Sequence, residues 1–329
     1  MRPTLRARPG RSRLLGPTLV GLGSCLLLLG LLVRFYAYPA LARVPANYDS
    51  TSNLAGTGVQ VFDTDPSVLK PVTTDLSVSA HIVAGDYPDA PQGVVVWADS
   101  TTVTRADGTI VQRSTELAPF DAVSGVASTY PVGFSSETEG RRDAVQRSGQ
   151  IYKMPFDTRQ QDYQWWDGTI GRATPAVYTG EGTVDGLKVY TFVQTIAPTA
   201  VDTVDVPGSV FGSSAPSVKA TMMYGMKRTI TVEPATGSPV NLVEQRDQYL
   251  TYGGRQVPAF VGTVAFTPET TASLVDSLRS KAMVLSAARM ALPLGLGLVG
   301  LVLLVAGVVV GRRPVARTET PETRELVHA

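Results

Sequence analysis

The sequence is poor in the residues that staple, chelate and catalyse. It has a single cysteine, Cys25, and two histidines, His81 and His328, in 329 residues. One cysteine allows no intramolecular disulfide and no thiolate metal cage. A Ser–His–Asp triad in the middle of the chain would have to use His81. No G-x-S-x-G elbow accompanies it, and its strand-like surroundings give it a structural role. Walker and dinucleotide-binding fingerprints are missing, as is the spaced D-x-D-x-D-G pattern of a calcium loop. No metal or cofactor is expected. Charges are balanced, 29 basic against 28 acidic side chains for a net +1. Without a basic stripe, nucleic acid has no electrostatic footprint to bind.

What the sequence does hold is a long apolar run near each end. Met290–Val310 is twenty-one residues without a charge, followed by Arg312 and Arg313. As a helix it crosses the ~30 Å hydrocarbon core of a bilayer. Pro293 falls in the first turn, where a missing N–H matters little. Leu14–Val33 supplies twenty more uncharged residues, preceded by Arg2, Arg6, Arg8, Arg11 and Arg13. A cleaved signal peptide has a shorter apolar core and a small-residue cleavage site. Here Arg34-Phe35-Tyr36 follows, so an uncleaved anchor is expected. Leu22-Gly23-Ser24-Cys25 has the shape of a lipobox, but the apolar run continues past it, and Cys25 reads as a membrane-buried small residue.

Positive charge beside a span marks its cytoplasmic face. The arginine clusters therefore put both termini in the cytoplasm and the large middle region outside the plasma membrane, with Phe35, Tyr36 and Tyr38 as an interfacial belt. The expected plan is a basic cytoplasmic tail at 1–13 and a span at 14–33. An extracytoplasmic β-rich domain at 34–267 and a membrane-proximal helix at 268–289 follow. A second span at 290–310 and a cytoplasmic tail at 311–329 complete it.

The middle region is dominated by strand signals, and the expected fold is mainly β (α+β), sandwich-like or open-barrel-like, between two transmembrane helices. Ala46–Thr57 is small and polar and reads as a stalk. Val59–Phe62, Leu76–Ala84, Val94–Thr104, Thr109–Leu117, Leu187–Ile196 and Phe260–Phe266 read as strands, with hairpin turns at Asp107-Gly108 and Asp185-Gly186. Thr229–Val232 and Val240–Val243 form a hairpin around Glu233–Pro239. Ser135–Arg147 is charged and solvated, and Pro198–Ser217 is loop-like. Thr267-Pro268-Glu269 starts a helix: a cap, a first-turn proline and an acid.

Four motifs stand in order: G-x-x-Y-K-x-P-F-x-T at Gly149–Thr158, D-Y-x-x-x-D at Asp162–Asp167, Y-x-G-x-x-x-V-x-G-L-x-V-Y-x-F at Tyr178–Phe192, and E-P-x-T-G-x-P-V at Glu233–Val240. Placed between two anchors, they make the chain resemble the actinobacterial PorA family, a family of unknown function that includes polar growth factor A. The resemblance covers nearly the whole chain. It implies a role in the cell envelope, in transport of lipids such as trehalose monomycolate or in lipoglycan maturation. It brings no catalytic residues.

Three functions follow as expectations. The first is non-enzymatic: the extracytoplasmic domain binds an envelope lipid or glycolipid and assists its transport, with the membrane and a lipid transporter or other envelope protein as partners. An apolar groove with a few polar groups would serve, and its candidate lining is Phe156, Trp165, Trp166, Met222, Met223 and Tyr224. The same side chains would equally fill an ordinary core. The second is a scaffold that recruits envelope machinery by protein contacts alone. The third is a glycan hydrolase using paired carboxylates drawn from Asp157, Asp162 and Asp167. Two helices alone enclose no wide channel, and a lipid-facing barrel needs strictly alternating strands without apolar helices.

Overall fold

The computed structural model describes residues 12–85, 87–136 and 141–312. These fall into two units, one from the two chain ends (up to Ala40 and from Ser286) and one at Leu41–Leu285. The first apolar run is helical as expected. Helix α1 (Ser12–Leu32) passes through a π-helical turn at Val33–Ala37 into the short α2 (Tyr38–Leu41).

From Asp49 to Phe266 the chain builds one antiparallel sheet of twelve strands. The first six are β1 (Asp49–Asp63), β2 (Lys70–Gly85), β3 (Val94–Arg105), β4 (Ile110–Asp121), β5 (Gly133–Ser136) and β6 (Asp143–Val145). The second six are β7 (Tyr163–Asp167), β8 (Arg172–Val184), β9 (Leu187–Val206), β10 (Val218–Glu233), β11 (Ser238–Tyr252) and β12 (Arg255–Phe266). Their spatial order is β6-β5-β4-β3-β2-β1-β12-β11-β10-β9-β8-β7. Each half is a meander of sequential neighbours, which short turns can make. At β8–β9 the turn residues Asp185 (φ 47°) and Gly186 (φ 77°) are both left-handed, as a two-residue hairpin turn requires. The halves join through β1 and β12, with Leu54 opposite Phe266 and Val61 opposite Phe260. The two edge strands, β6 and β7, are therefore consecutive in sequence.

Side-chain alternation gives the sheet an apolar inner face and a polar outer one. On β10, Val218, Ala220, Tyr224, Met226 and Ile230 are buried while Lys219 and Lys227 are exposed. On β2, Leu76 is buried while Thr73, Asp75, Ser77, Ser79 and His81 are exposed. Inner-face clusters gather Val59, Val61, Leu76 and Val103 in the first half, and Trp165, Ala176, Phe192 and Ile230 in the second. Of the two expected forms this is the open barrel: one continuous sheet, bridged across its gap, rather than two stacked sheets.

Two expectations are corrected. The stalk at Ala46–Thr57 is largely strand: Asp49–Gly56 pairs residue by residue with Val83–Leu76 of β2. The loop expected from Pro198 continues β9 to Val206, paired with β10 as far as Val218, and only then breaks into a 3-10 turn at Gly208–Phe211. In both places a neighbouring ladder overrides a weak local preference.

Helix α3 (Pro268–Ser286) begins as expected, with the Thr270 amide donating to Thr267 Oγ1 at 3.2 Å. Its Val275, Leu278 and Ala282 pack on Leu187, Val189 and Val240 of the sheet's outer face. A π-helical turn at Ala287–Ala291 follows, then α4 (Leu292–Gly311). The runs Leu14–Leu41 and Pro268–Gly311 are each long and apolar enough to cross a membrane.

Helices α1 and α4 pack antiparallel along small residues spaced by seven: Gly16, Gly23 and Gly30 meet Gly307, Gly300 and Pro293. A Cβ on Gly23 would lie 2.6 Å from the Gly300 carbonyl oxygen and 2.7 Å from the Leu304 nitrogen. Backbones approach this closely only over glycine, and in lipid such packing replaces the hydrophobic effect as the force between helices. Gly23→Leu should therefore separate the pair, whereas Gly21→Leu, with nothing within 4 Å, should not. Spin-label distances between positions 22 and 301 in detergent, in a Cys25→Ser background, check this; equal distances in both variants would refute the packing.

Candidate functional site

A sheet of twelve strands leaves two edges that must be paired or covered. Here a single segment, Gly149–Thr158, does most of this, and it is the first of the four motifs. Gln150 bridges Val126 on one side and Trp165 of β7 on the other, and Ala127 in turn bridges Phe120 of β4. The Gln150 amide donates to the Gln164 carbonyl at 2.7 Å, and the Trp166 amide donates to the Gln150 carbonyl at 2.8 Å. Gly149 (φ 66°) is required there, because a Cβ would sit 2.5 Å from the Gln164 carbonyl oxygen. This strap then divides its side chains between the halves. Ile151, Tyr152 and Phe156 pack on the cluster of Trp97 and Phe120, while Met154 enters the cluster of Trp165, Phe192 and Ile230.

The strap is pinned to the β10–β11 turn, the fourth motif. Met154, Asp157 and Thr158 amides donate to the carbonyls of Gly237, Ala235 and Pro234 at 2.8, 3.2 and 2.8 Å. The turn is itself held by Glu233, whose carboxylate accepts from the Ala235 and Thr236 amides at 2.8 and 2.7 Å. Between them lies Lys153, 3% exposed. Its ammonium donates to the Met154 carbonyl at 2.7 Å and lies 3.9 Å from the Phe156 ring centroid. Burial pulls its pKa down to about 7, against the opposing pull of Asp121 and Glu233.

The second half carries a buried polar group on its inner face. Arg228 donates through Nε to Glu244 Oε1 at 2.6 Å, through Nη2 to Asp167 Oδ2 at 3.2 Å and through Nη1 to Gln194 Oε1. Tyr224 Oη donates to Asp167 Oδ2 at 2.9 Å, and Gln194 Nε2 donates to the Trp165 carbonyl at 2.8 Å. Burial works to raise the Glu244 carboxyl, but Arg228 and Arg246 overcome it and hold it low. Burial first, then the Asp167 charge, pushes the Tyr224 phenol up. A network satisfied in this way keeps its charges and orders the strands that supply it.

The first half carries a different group. Asp99 of β3 is the cross-strand partner of Glu116 of β4, two residues along the inner face from Trp97. Arg147 donates to Glu116 Oε2 at 2.7 Å and to the Leu117 carbonyl at 3.1 Å. Burial raises the Asp99 pKa to about 6; a Thr101 hydroxyl bond works against the shift and the Glu116 charge adds to it.

The six residues proposed from the sequence as a lipid site are distributed over both faces. Trp165 and Tyr224 are buried inside, Met222 is half-buried inside, and Phe156 lies in the strap. Trp166 and Met223 alternate outward, the latter into an open surface depression with Lys219, Thr251 and Tyr252. The three acids considered for glycan hydrolysis also occupy separate settings. Asp157 is in the strap, Asp162 Oδ1 accepts the Tyr178 amide at 2.9 Å, and Asp167 is fixed beneath Tyr224 and Arg228. Sequence reading missed Arg228, Glu244 and Gln194. Their signal was a charged or amide residue at an inward position of an alternating strand, as Arg228 stands between Met226 and Ile230.

The model of a family described as Porin PorA matches residues 15–309. Two relatives named Porin PorA match over 92 residues, one from Corynebacterium amycolatum at 34% identity and one from Corynebacterium resistens at 32%. Each match covers 28% of this chain and 23% or 22% of the relative, so the chain matches less than a quarter of those relatives' length. A solved protein from Bacteroides fragilis, described with a YmcC-like fold, is 12% identical and covers 68% of this chain and 96% of its own. Its TM-score of 0.21 carries no argument.

Arg228→Met should cost about 3–5 kcal/mol, because it leaves buried Asp167 without its cation and Glu244 with the more distant Arg246 alone; chemical denaturation of the full chain measures it, and a loss under 1 kcal/mol would show the network to be unimportant. For Lys153, the folded pKa of about 7 lies below the unfolded value of 10.5. Between those pH values the unfolded chain binds more protons, so stability rises with pH from about 7 upward. Lys153→Met should remove this slope and stabilise the protein by about 1–2 kcal/mol at pH 6, with the gain fading towards pH 10. A gain independent of pH would exclude Lys153 as its source.

Proposed function

This chain belongs to the PorA family, and on that premise we propose that it is a non-enzymatic, membrane-anchored protein of the cell envelope. Its β domain takes the apolar part of an envelope lipid or glycolipid onto the inner side of the sheet and assists lipid transport or envelope assembly. Both termini lie in the cytoplasm and the β domain outside, following the arginine clusters. A lipid transporter or another envelope protein is the partner that hands over or receives the cargo.

The observation that carries this reading is the seam. The inner face carries apolar clusters in both halves beside its polar groups, yet the gap between β4 and β7 is spanned by the strap and single-residue bridges at Gln150. Parting a few backbone hydrogen bonds there exposes apolar surface without unfolding any hairpin, and such local opening lies at the low end of a protein's stability range. The relatives' printed name points to a pore, which the outward-facing residues of this sheet do not fit. A barrel in lipid turns apolar residues outward, and here Lys219, Lys227, Asp75, Ser77 and Ser79 face outward.

The full chain, purified from an envelope-bearing host, should carry a defined lipid detectable by native mass spectrometry. Val126→Cys with Gln150→Cys, in a Cys25→Ser background, joins residues that pair across the seam, at a separation antiparallel partners offer to a disulfide. Oxidation should slow lipid exchange at least about tenfold and reduction restore it, since closing the seam removes the low-energy opening. A folded chain without lipid would move the weight to the scaffold reading, and glycan cleavage by that chain to the hydrolase one.

A further inference from the structure

The first half holds buried polar atoms that no group among the described residues satisfies. Trp97 Nε1 and Tyr152 Oη are buried hydrogen-bond donors without a partner among the described residues. They belong to one aromatic cluster: the Trp97 and Tyr152 rings lie 5.1 Å apart, and both pack against Phe120 at 4.8 and 5.8 Å. A buried N–H or O–H left unpaired costs on the order of 1–3 kcal/mol. Native structures retain such groups mainly where water, a ligand or a function needs them. Here two occur side by side, one on a strand and one on the strap.

Acceptors stand next to them. Asp99 follows Trp97 by two residues on the same face, with Glu116 directly across from it. The charges of Asp99 and Glu116 both raise the Tyr152 phenol, after burial itself, so carboxylates and phenol share one neighbourhood. Among the described residues, Asp99 Oδ1 accepts from the Thr101 hydroxyl at 3.1 Å. Arg147 holds one oxygen of Glu116, whose side chain remains 34% exposed. The group thus runs from buried donors at Trp97 and Tyr152 to a partly exposed carboxylate at Glu116. Apolar floor adjoins it through Ile82, Val95 and Phe120.

We propose that Trp97 Nε1, Tyr152 Oη, Asp99 and Glu116 form a binding site for the neutral, hydroxyl-bearing headgroup of an amphiphile, with the adjoining apolar inner face taking its chain. A hydroxyl both donates and accepts. It satisfies the two orphan donors and bonds to the carboxylates in the same pose, which an anionic headgroup beside Asp99 and Glu116 would not. Trp97 does not stack on the ligand, because Tyr48 already covers its ring at 4.3 Å; it contributes its N–H. The site deepens the lipid-binding reading and rests on it. Tyr152 also makes the strap part of the site, so occupancy and closure of the seam are linked.

The test uses the full chain in phosphatidylcholine nanodiscs, with octyl glucoside below its micellar concentration as probe and octyl phosphocholine as the control of equal chain length. The glucoside should raise the melting temperature and the phosphocholine should not. Tyr152→Phe and Trp97→Phe each delete one donor and keep a ring. Each should weaken glucoside binding about tenfold, the loss expected when one hydrogen bond is removed from a buried site. Tyr152→Phe should also leave the unliganded protein as stable as before or more so, since it removes an unpaired buried hydroxyl. Equal binding of both probes, unaffected by either variant, would overturn the headgroup site while leaving lipid binding intact. The same holds if a co-purified lipid is found but neither probe binds. No co-purified lipid and no binding of either probe would overturn both readings.

Discussion

The structure depends on how one sheet with twelve strands disposes of its two edges. A meander that starts in the middle, runs out to one edge and restarts at the other leaves β6 and β7 as consecutive strands with unpaired outer sides. The chain between them is the only stretch whose two ends are already at the gap. Gly149–Thr158 occupies that position, and its backbone is spent on bridging: Gln150 to β7, Phe156 to Val123, and Met154 to Thr158 on the β10–β11 turn. Its side chains then fill both halves of the interior, so edge protection and core formation are one event. This couples a local sequence motif to the closure of the whole domain.

Much of the architecture was legible in the sequence for physical reasons that can be named. Charge-free runs of membrane length mark both spans, Asp-Gly pairs mark hairpins, and Thr267-Pro268-Glu269 marks the start of α3. Legibility failed where long-range pairing decided the structure. Asp49–Gly56 is rich in Ser, Thr and Gly and has little strand preference of its own, but it lies between β2 and β12, which supply its ladder. Thr199–Val206 has a similar history beside β10. The site failed for a related reason. A continuous run such as Met222-Met223-Tyr224, or Trp165-Trp166, looks like one patch in sequence, yet a strand sends neighbours to opposite faces. Arg228 and Asp167 are 61 residues apart, and no local pattern announces their contact.

The two halves of the interior are not equivalent. In the second half the group around Arg228 is closely paired: Arg228 has three acceptors, Asp167 has two side-chain donors and two backbone amides, and Gln194 bonds at both ends, while the neighbouring Arg246 keeps a buried Nε without a partner among the described residues. In the first half, two donors in the Trp97 cluster are not answered, and Asp99 is burdened by burial. A low-dielectric interior makes the first arrangement rigid and the second costly. The physical division is between a half whose charged network is closely paired and a half whose aromatic cluster keeps two buried donors without partners among the described residues.

The Arg228 network also fixes register. Because side chains alternate, a one-residue slip of β10 against its neighbours would turn Lys227 and Thr229 inward and expel Arg228, Met226 and Ile230. Apolar burial alone already opposes that slip. It opposes a two-residue slip much less, since Met226, Arg228 and Ile230 share a face and Ile, Met and Tyr are roughly interchangeable as filler. The network removes this ambiguity. Arg228 must meet Gln194 on β9, Glu244 on β11 and Asp167 at the end of β7, and a shift by two would leave a guanidinium against Phe192 or Ile196. Burying a charge is a poor way to add stability, but it is an effective way to reject a near-degenerate pairing. In a sheet whose strands run to twenty residues in β9, where neighbouring registers bury similar apolar side chains, that rejection favours a single alignment of β9, β10 and β11.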